Sequence, residues 1–431
     1  MPMSPAFENR LKAALPRIVE TFGTPFHIYD AEGLHRTCEL FERAFQEIDC
    51  REYFAVKALP NPAVMRLLAG HGFGFDTSSI SELTLARTAG ARGEDMCFTS
   101  SNTSVAELEA ALEAGAMITV DDEAILDTLA GRLTVPGALA FRVNPGRSLE
   151  GQGNHLFGEP ETTKFGVPAD RLVKVCARAR DLGVREIGLH MMTTSNVLRP
   201  EPLLLTLDLL LERAREIEHE VGLPVTSINL GGGIGIPYRP QEEPFDLIAF
   251  GAAVGERLAG WSSPHGRGRP AIRFECGRYI TGPHGALVTR VVNRMDKWQP
   301  FVGVDASMVS LMRPALYSWA YHHITAPFAE GRPREVVDVV GSLPENNDRL
   351  GRERDLPVLA EGDVLVVHDT GAHGHAMGFN YTGRSRPQEL LLHPDGSVEL
   401  IRRAETERDL FATLDFTPRL LESPAVQGDP V

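Results

Sequence analysis

Long apolar runs are missing from this 431-residue chain. The most apolar stretch, Leu203 to Leu211, is broken by Asp208, whereas a membrane span takes about 20 apolar residues in succession. Glu8, Arg10 and Lys12 lie among scattered apolar residues near the start, so the unbroken centre of a secretory signal is lacking. Cysteine is scarce, with Cys38, Cys50, Cys97, Cys176 and Cys276 making five. An odd number without Cys-x-x-Cys spacing argues against a disulfide framework or a zinc site and suits a reducing cytoplasm. No cysteine follows Cys276. Positive charge is also short: 43 Lys and Arg face 58 Asp and Glu, a formal net charge of −15. That balance argues against a nucleic-acid or anionic-membrane partner and leaves small anions to a local basic pocket.

What remains is ordinary globular composition, 43% hydrophobic and 23% charged, in a chain long enough to bury a large core without staples. Helical and strand patterns alternate over the first two thirds. Leu34, Cys38, Phe41 and Phe45 recur at helical spacing, and Tyr53 to Val56 follows as a strand. Ser104 and Glu107 form a capping box, Gly115 stops that helix, and Met117 to Val120 is the next strand. Ala138 to Val143, Ile187 to His190, Ser227 to Leu230 and Ala271 to Phe274 continue the rhythm. So many β-α units predict an α/β fold, a closed (β/α)8 TIM barrel. After about Gly285 long helical periods give way to strands at Leu287 to Val292, Val336 to Val340, Val364 to Val367 and Glu389 to Leu392. The expected division is an N-terminal segment over 1–27 that packs with the β domain, the barrel over 28–285, and a mostly-β C-terminal domain over 286–431. Ser263 to Pro270 reads as a surface loop, and the tail after Glu422 as frayed.

Several strand ends carry chemistry. Lys57 ends Tyr-Phe-Ala-Val-Lys. In a barrel that position faces the active-site mouth, and a partly buried lysine there is suited to form an imine; taken alone, a surface lysine with a buried stem is the plainer reading. Gly231-Gly232-Gly233 follows a strand and can turn backbone N–H groups toward a phosphate, or can simply be a tight turn. It matches neither a P-loop nor a Rossmann fingerprint. Glu275 and Arg278, three residues apart, make either a structural ion pair or a grip on two ends of an anionic, nitrogen-bearing cofactor. His190 ends its strand and by itself reads as structural. Taken together, an imine lysine, a phosphate cradle, a carboxylate for a pyridine nitrogen and a ring for stacking are what pyridoxal phosphate requires.

These residues sit in segments that resemble the fold type III (alanine racemase-like) pyridoxal-phosphate decarboxylases, the diaminopimelate decarboxylases in particular. The likeness runs from Gly23-Thr24-Pro25 to about Leu392. It takes in Gly74-Phe75-Asp76, Arg142 to Gly146, Lys164-Phe165-Gly166, Arg313-Pro314-Ala315-Leu316-Tyr317 and Asn380-Tyr381. The resemblance implies that Lys57 bonds pyridoxal 5'-phosphate, that His190 stacks on its ring, and that Asp76 orients the Lys57 end. Ser195, Gly231, Gly232, Gly233, Gly277 and Arg278 would surround the phosphate and neighbouring substrate groups, and Glu275 would face the ring nitrogen. Arg313, Tyr317 and Glu345 would hold the far part of an amino-acid substrate, with Arg278 beside them. It further implies a homodimer with shared sites, in which the region of Glu345 reaches across from the partner. A carboxylate at Glu275, where alanine racemases place arginine, favours decarboxylation over racemisation.

The chain departs from the family in three places. Pro344-Glu345-Asn346 stands where the family has Cys-Glu-Ser, so the cysteine that returns a proton to Cα is gone. His373, in the place of a family tyrosine, is either a replacement proton donor or a phosphate ligand, and His375 is a second candidate donor. Met191-Met192-Thr193-Thr194 makes the wall after His190 more apolar, or packs into the barrel, and Val309-Ser310 replaces Asn-Asp. The expected activity is decarboxylation of an α-amino acid, as in lysine formation from meso-diaminopimelate. The alternatives are another carboxylated amino-acid intermediate of specialised metabolism, with altered protonation or transamination, and a non-catalytic regulatory homologue.

Overall fold

The computed structural model describes residues 3–146, 161–263, 268–417 and 419–420. The loop expected over Ser263 to Pro270 lies partly, and the tail after Glu422 wholly, outside the described residues. Strands Cys50–Ala55, Gly74–Thr77, Met96–Thr99, Met117–Val120, Ala138–Asn144, Glu186–His190, Val225–Asn229 and Ala271–Phe274 pair in parallel in that order. Ala271–Phe274 then returns to Cys50–Ala55, with Phe274 beside Glu52, and closes an eight-stranded TIM barrel. The strands are buried almost throughout because helices cover them outside and side chains fill the lumen. Helix Val105–Ala114 begins at the Ser104/Glu107 capping box and ends at Gly115, whose φ of 68° is left-handed. Two strands, Gly74–Thr77 and Met96–Thr99, do not stand out in the sequence, because Gly74, Asp76 and Thr77 leave the first a single apolar residue and Asp95 and Thr99 bound the second at three. The strand before Lys57 starts at Cys50 and stops at Ala55, so Val56–Ala58 forms a 3-10 turn beyond it.

The separate sheet is mostly antiparallel. Gly285–Asp296 pairs with Pro300–Val304, Val364–Val367 and Phe26–Asp30, and Gln388–Leu392 pairs with Val398–Arg402. Arg334–Val340 and Arg349–Pro357 extend it at one side. Phe26–Asp30 straddles position 28 and is itself an inner strand, parallel to Gln388–Leu392. Helix Pro5–Phe22 starts at Ser4, whose hydroxyl accepts from the Phe7 N–H at 3.1 Å. It buries Phe7, Leu11, Leu15 and Ile18 against Phe26, Ile28, Val288 and Leu390 of the sheet. Among the described residues no helix is long and apolar enough to cross a membrane.

Glu389 joins sheet and barrel. Its side chain is buried, Tyr29 donates to Oε1 at 2.5 Å, and Asn61 donates to Oε2 at 3.1 Å. Arg402 pairs with the same carboxylate. Asn61 belongs to the barrel, where its Oδ1 caps helix Pro62–Gly70. Burial opposes the charge, but His375, Arg402 and Tyr29 together hold Glu389 below the usual carboxylate range. Glu389→Ala strands these partners and is expected to cost about 3 kcal/mol, read from urea unfolding at neutral pH. A depressed carboxyl stabilises above its unfolded pKa and loses that contribution as pH falls through the folded one. The gap between wild type and variant therefore narrows under acid conditions.

Candidate active site

The mouth of the barrel gathers groups from consecutive strands. Lys57, on the turn after its strand, places Nζ 3.2 Å from Asp76 Oδ2, at the end of the next strand. The lysine side chain is 47% exposed, whereas Asp76 is sealed. Asp76, and after it Glu275, raise the Lys57 amine above the ordinary lysine range and outweigh lost hydration. Burial, then the Glu275 charge, pushes Asp76 up to about 8 against the pull of Lys57.

Glu275 follows strand Ala271–Phe274 and is buried. Burial alone would raise it, yet His190, Lys57 and Asn229 hold it down to about 2. Asn229 Nδ2 donates to its Oε1 at 2.8 Å, and His190 Nε2 stands 3.3 Å from Oε2. These three residues are neighbours because their strands are: His190 lies beside Asn229 in the ladder, and Asn229 beside Arg273. His190 Nδ1 is buried without a hydrogen-bond partner.

The glycine loop is locked to this cluster. Asn229 Oδ1 accepts from the Gly231 N–H at 2.8 Å, and Gly231 C=O accepts from the Glu275 N–H at 2.8 Å. A Cβ on Gly232 would lie 2.7 Å from the Glu275 carbonyl, and one on Gly233 2.6 Å from Thr194 Oγ1. Ser195 follows Thr194 on a loop zipped to the glycines through Val197 N to Gly233 O at 2.9 Å. Gly277 lets the next turn approach Lys57, since a Cβ there would meet Ala58 Cβ at 2.6 Å.

A second cluster spans barrel and sheet. Arg278 Nη1 donates to the Tyr238 hydroxyl at 2.5 Å. Arg313 is buried, with its guanidinium 4.1 Å over the Tyr238 ring and 5.5 Å from that of Trp319. His322 Nε2 lies 3.2 Å from Arg313 Nη1, and Tyr317 stacks on Trp319 at 5.2 Å. His373 arrives from the sheet domain, with its N–H donating to Ala58 O at 2.9 Å. Burial, then Arg278, Lys57 and Arg313, drive its imidazole well below the usual histidine range. His373 is therefore a neutral N–H donor rather than an imidazolium.

Lys57, Asp76, His190, Glu275, the glycine loop, Arg278, Arg313 and His373 are thus brought together. Glu345 is exposed on a turn, and among the described residues no ion pair or side-chain hydrogen bond joins it to them. His375 bonds Pro387 O at 3.1 Å and faces Glu389 instead, so it leaves the list of proton donors for this mouth. Asn229, Tyr238 and His322 were not anticipated. Asn229, a polar strand-end residue just before the glycines, was the one open to inference.

The donors fit pyridoxal phosphate: an accessible amine beside buried carboxylates, a charged Glu275, and a backbone loop that side chains would fill. Fold and site define the barrel class of pyridoxal-phosphate enzymes. Residues 32–282 match the family described as pyridoxal-dependent decarboxylase, pyridoxal binding domain. The chain is 45% identical over 418 residues to Protein TabA of Pseudomonas amygdali pv. tabaci, covering 97% of each. It is 36% identical over 410 residues to diaminopimelate decarboxylase of Methanothermobacter thermautotrophicus, covering 94% of this chain and 95% of that one. The solved diaminopimelate decarboxylase of Helicobacter pylori, complexed with L-lysine, superposes with a TM-score of 0.84 at 27% identity, over 93% of this chain and 99% of that one. The chain belongs to the pyridoxal-dependent decarboxylase family and is a pyridoxal-phosphate-dependent amino-acid decarboxylase.

Only a neutral amine attacks an aldehyde. Because Asp76 holds Lys57 in its charged form, Asp76→Asn should move the pH profile of cofactor capture, followed by visible imine absorbance, to lower pH. Lys57→Ala should remove that absorbance altogether. An unmoved profile in the first variant would contradict the charge coupling, and a wild-type spectrum in the second would contradict the attachment point.

Proposed function

We propose that this decarboxylase acts on an α-amino acid with a second carboxylate at its far end, of the meso-diaminopimelate kind, and yields lysine from that substrate. The observation that carries this reading is Arg313. Its guanidinium is 2% exposed, sits among aromatic rings and makes no ion pair among the described residues. A buried uncompensated cation is costly, and a carboxylate matches its fork with two hydrogen bonds. Two of the relatives, named as diaminopimelate decarboxylases, support such a substrate, whereas the name of Protein TabA states none.

Pyridoxal phosphate, when bound, supplies an aldehyde for amines and a ring that accepts the electron pair left at Cα as CO2 departs. Lys57 offers the amine that holds it, and Asp76 governs the proton on Nζ. Glu275, anionic behind the barrel mouth, would favour a protonated ring nitrogen, and His190 would stack on the ring. Ser195, the Gly232 and Gly233 amides, Gly277 and Arg278 would hold the phosphate end, with His373 donating an N–H there. That role suits a neutral imidazole better than protonation of Cα. A second reading is another carboxylated amino-acid intermediate. It is favoured by Met192, which packs on Gly231 and makes the mouth bulky and apolar, and by Pro344 in the place of a proton-donating cysteine.

We further propose a homodimer in a reducing cytoplasm, in keeping with five free thiols, where Glu345 and Tyr317 complete the substrate end across two chains. Lysine formation from meso-diaminopimelate by the cofactor-loaded protein tests the substrate. Imine absorbance without product would favour the second reading. Arg313→Ala should raise KM about tenfold or more and leave cofactor affinity unchanged; equal loss of both would remove Arg313 from the substrate. Mixed under subunit exchange, inactive Lys57→Ala and Glu345→Gln chains should regain part of the activity, and no recovery would sink the shared site.

A further inference from the structure

Behind the Arg313 wall lies a cavity of about 200 Å3 between the barrel loop at Arg239 and strand Arg349–Pro357 of the sheet domain. That volume holds several waters, at roughly 30 Å3 each. Its lining includes Arg239, Tyr321, Arg352, Glu353 and Arg354. The Tyr321 ring is gripped by two guanidiniums, Arg354 at 3.9 Å and Arg239 at 4.6 Å. Among the described residues, none of Arg239, Arg352 and Arg354 has an ion pair. Arg349, also in the lining, is already paired with Asp338. Arg354 Nε is buried with no hydrogen-bond partner. Glu353 supplies one carboxylate at the rim, on a backbone held at φ 50° with its N–H on Asp338.

Three guanidiniums without an ion pair among the described residues, facing the single carboxylate of Glu353, run against the charge of a chain that is −15 overall. Like charges so placed repel, and a guanidinium fork matches an oxyanion in geometry as well as sign. The cavity is also distinct from the catalytic mouth. Arg239 follows Tyr238, Pro314 follows Arg313 and Tyr321 precedes His322. Tyr238, Arg313 and His322 of the second cluster thus each have a chain neighbour in the lining of the cavity. We propose that this cavity is a binding site for a small oxyanion, carboxylate or phosphate, separate from the site of decarboxylation and independent of which amino acid is consumed there.

The test is calorimetric titration of the cofactor-loaded protein with malonate and, separately, with inorganic phosphate. At least one should bind saturably, and the one that does identifies the headgroup. Arg239→Gln and Arg354→Gln should each weaken that binding about tenfold, as loss of a charge-assisted hydrogen bond does. Arg352→Gln, at an exposed position where folding is not at stake, should weaken it measurably. Arg313→Ala should leave it within about twofold, because that residue faces the other side of the wall. No saturable binding of either probe, full affinity in Arg352→Gln and Arg239→Gln, or loss of binding in Arg313→Ala would each overturn the proposal.

Discussion

A negative charge has to survive at Glu275 in a place that water does not reach, and the architecture of the site follows from that requirement. A buried carboxylate left to itself takes up a proton. Glu52, which neighbours it in the lumen, shows the alternative: burial first, and then the charge of Glu275, raises its carboxyl far above the usual range. Glu275 escapes because Asn229, His190 and Lys57 converge on it, and they converge because their strands are neighbours in a closed barrel. The same amide of Asn229 fixes Gly231, so the loop and the charge are positioned by one side chain.

Barrel and sheet domain share the site rather than abut it. The barrel contributes Lys57, His190, Glu275, Arg278 and Tyr238. The sheet domain contributes Arg313, His322 and His373. Their mutual position is held elsewhere, by Glu389 reaching from the sheet to Asn61 and by the His373 N–H on the Ala58 carbonyl. Burial first, and then the nearby cations, lower the His373 imidazole, and the cations of the second cluster leave the far end of the mouth receptive to anions.

Much of this was legible in the chain itself. Lys57, His190, Gly231 and Glu275 each close a strand-like run, and in a parallel barrel those ends meet by construction. The sheet domain was legible through Val364–Val367 and its turns. Strands Gly74–Thr77 and Met96–Thr99 were not, because the first has a single apolar residue and the second only three. Tyr238 and His322 were invisible because their role comes from contacts with Arg313, a ring under its guanidinium and a hydrogen bond to it, and no local pattern encodes either. Strand Phe26–Asp30 is cut in two by the expected boundary at position 28. Its place in the other sheet depends on partners at Leu287 and Leu390 that only the folded chain brings near.

That strand also constrains the order of events during synthesis. Phe26 leaves the ribosome early, but its parallel partner Gln388 emerges only after the whole barrel. Until then one side of Phe26–Asp30 is an open edge, and such edges recruit other chains. The barrel is in effect an insertion within a sheet that waits for its last strands, and pairings so distant in sequence form slowly. Between the synthesis of Phe274 and that of Gln388, nascent chains of this protein therefore carry a completed barrel and an unfinished seam, the interval in which a chaperone has the most to protect.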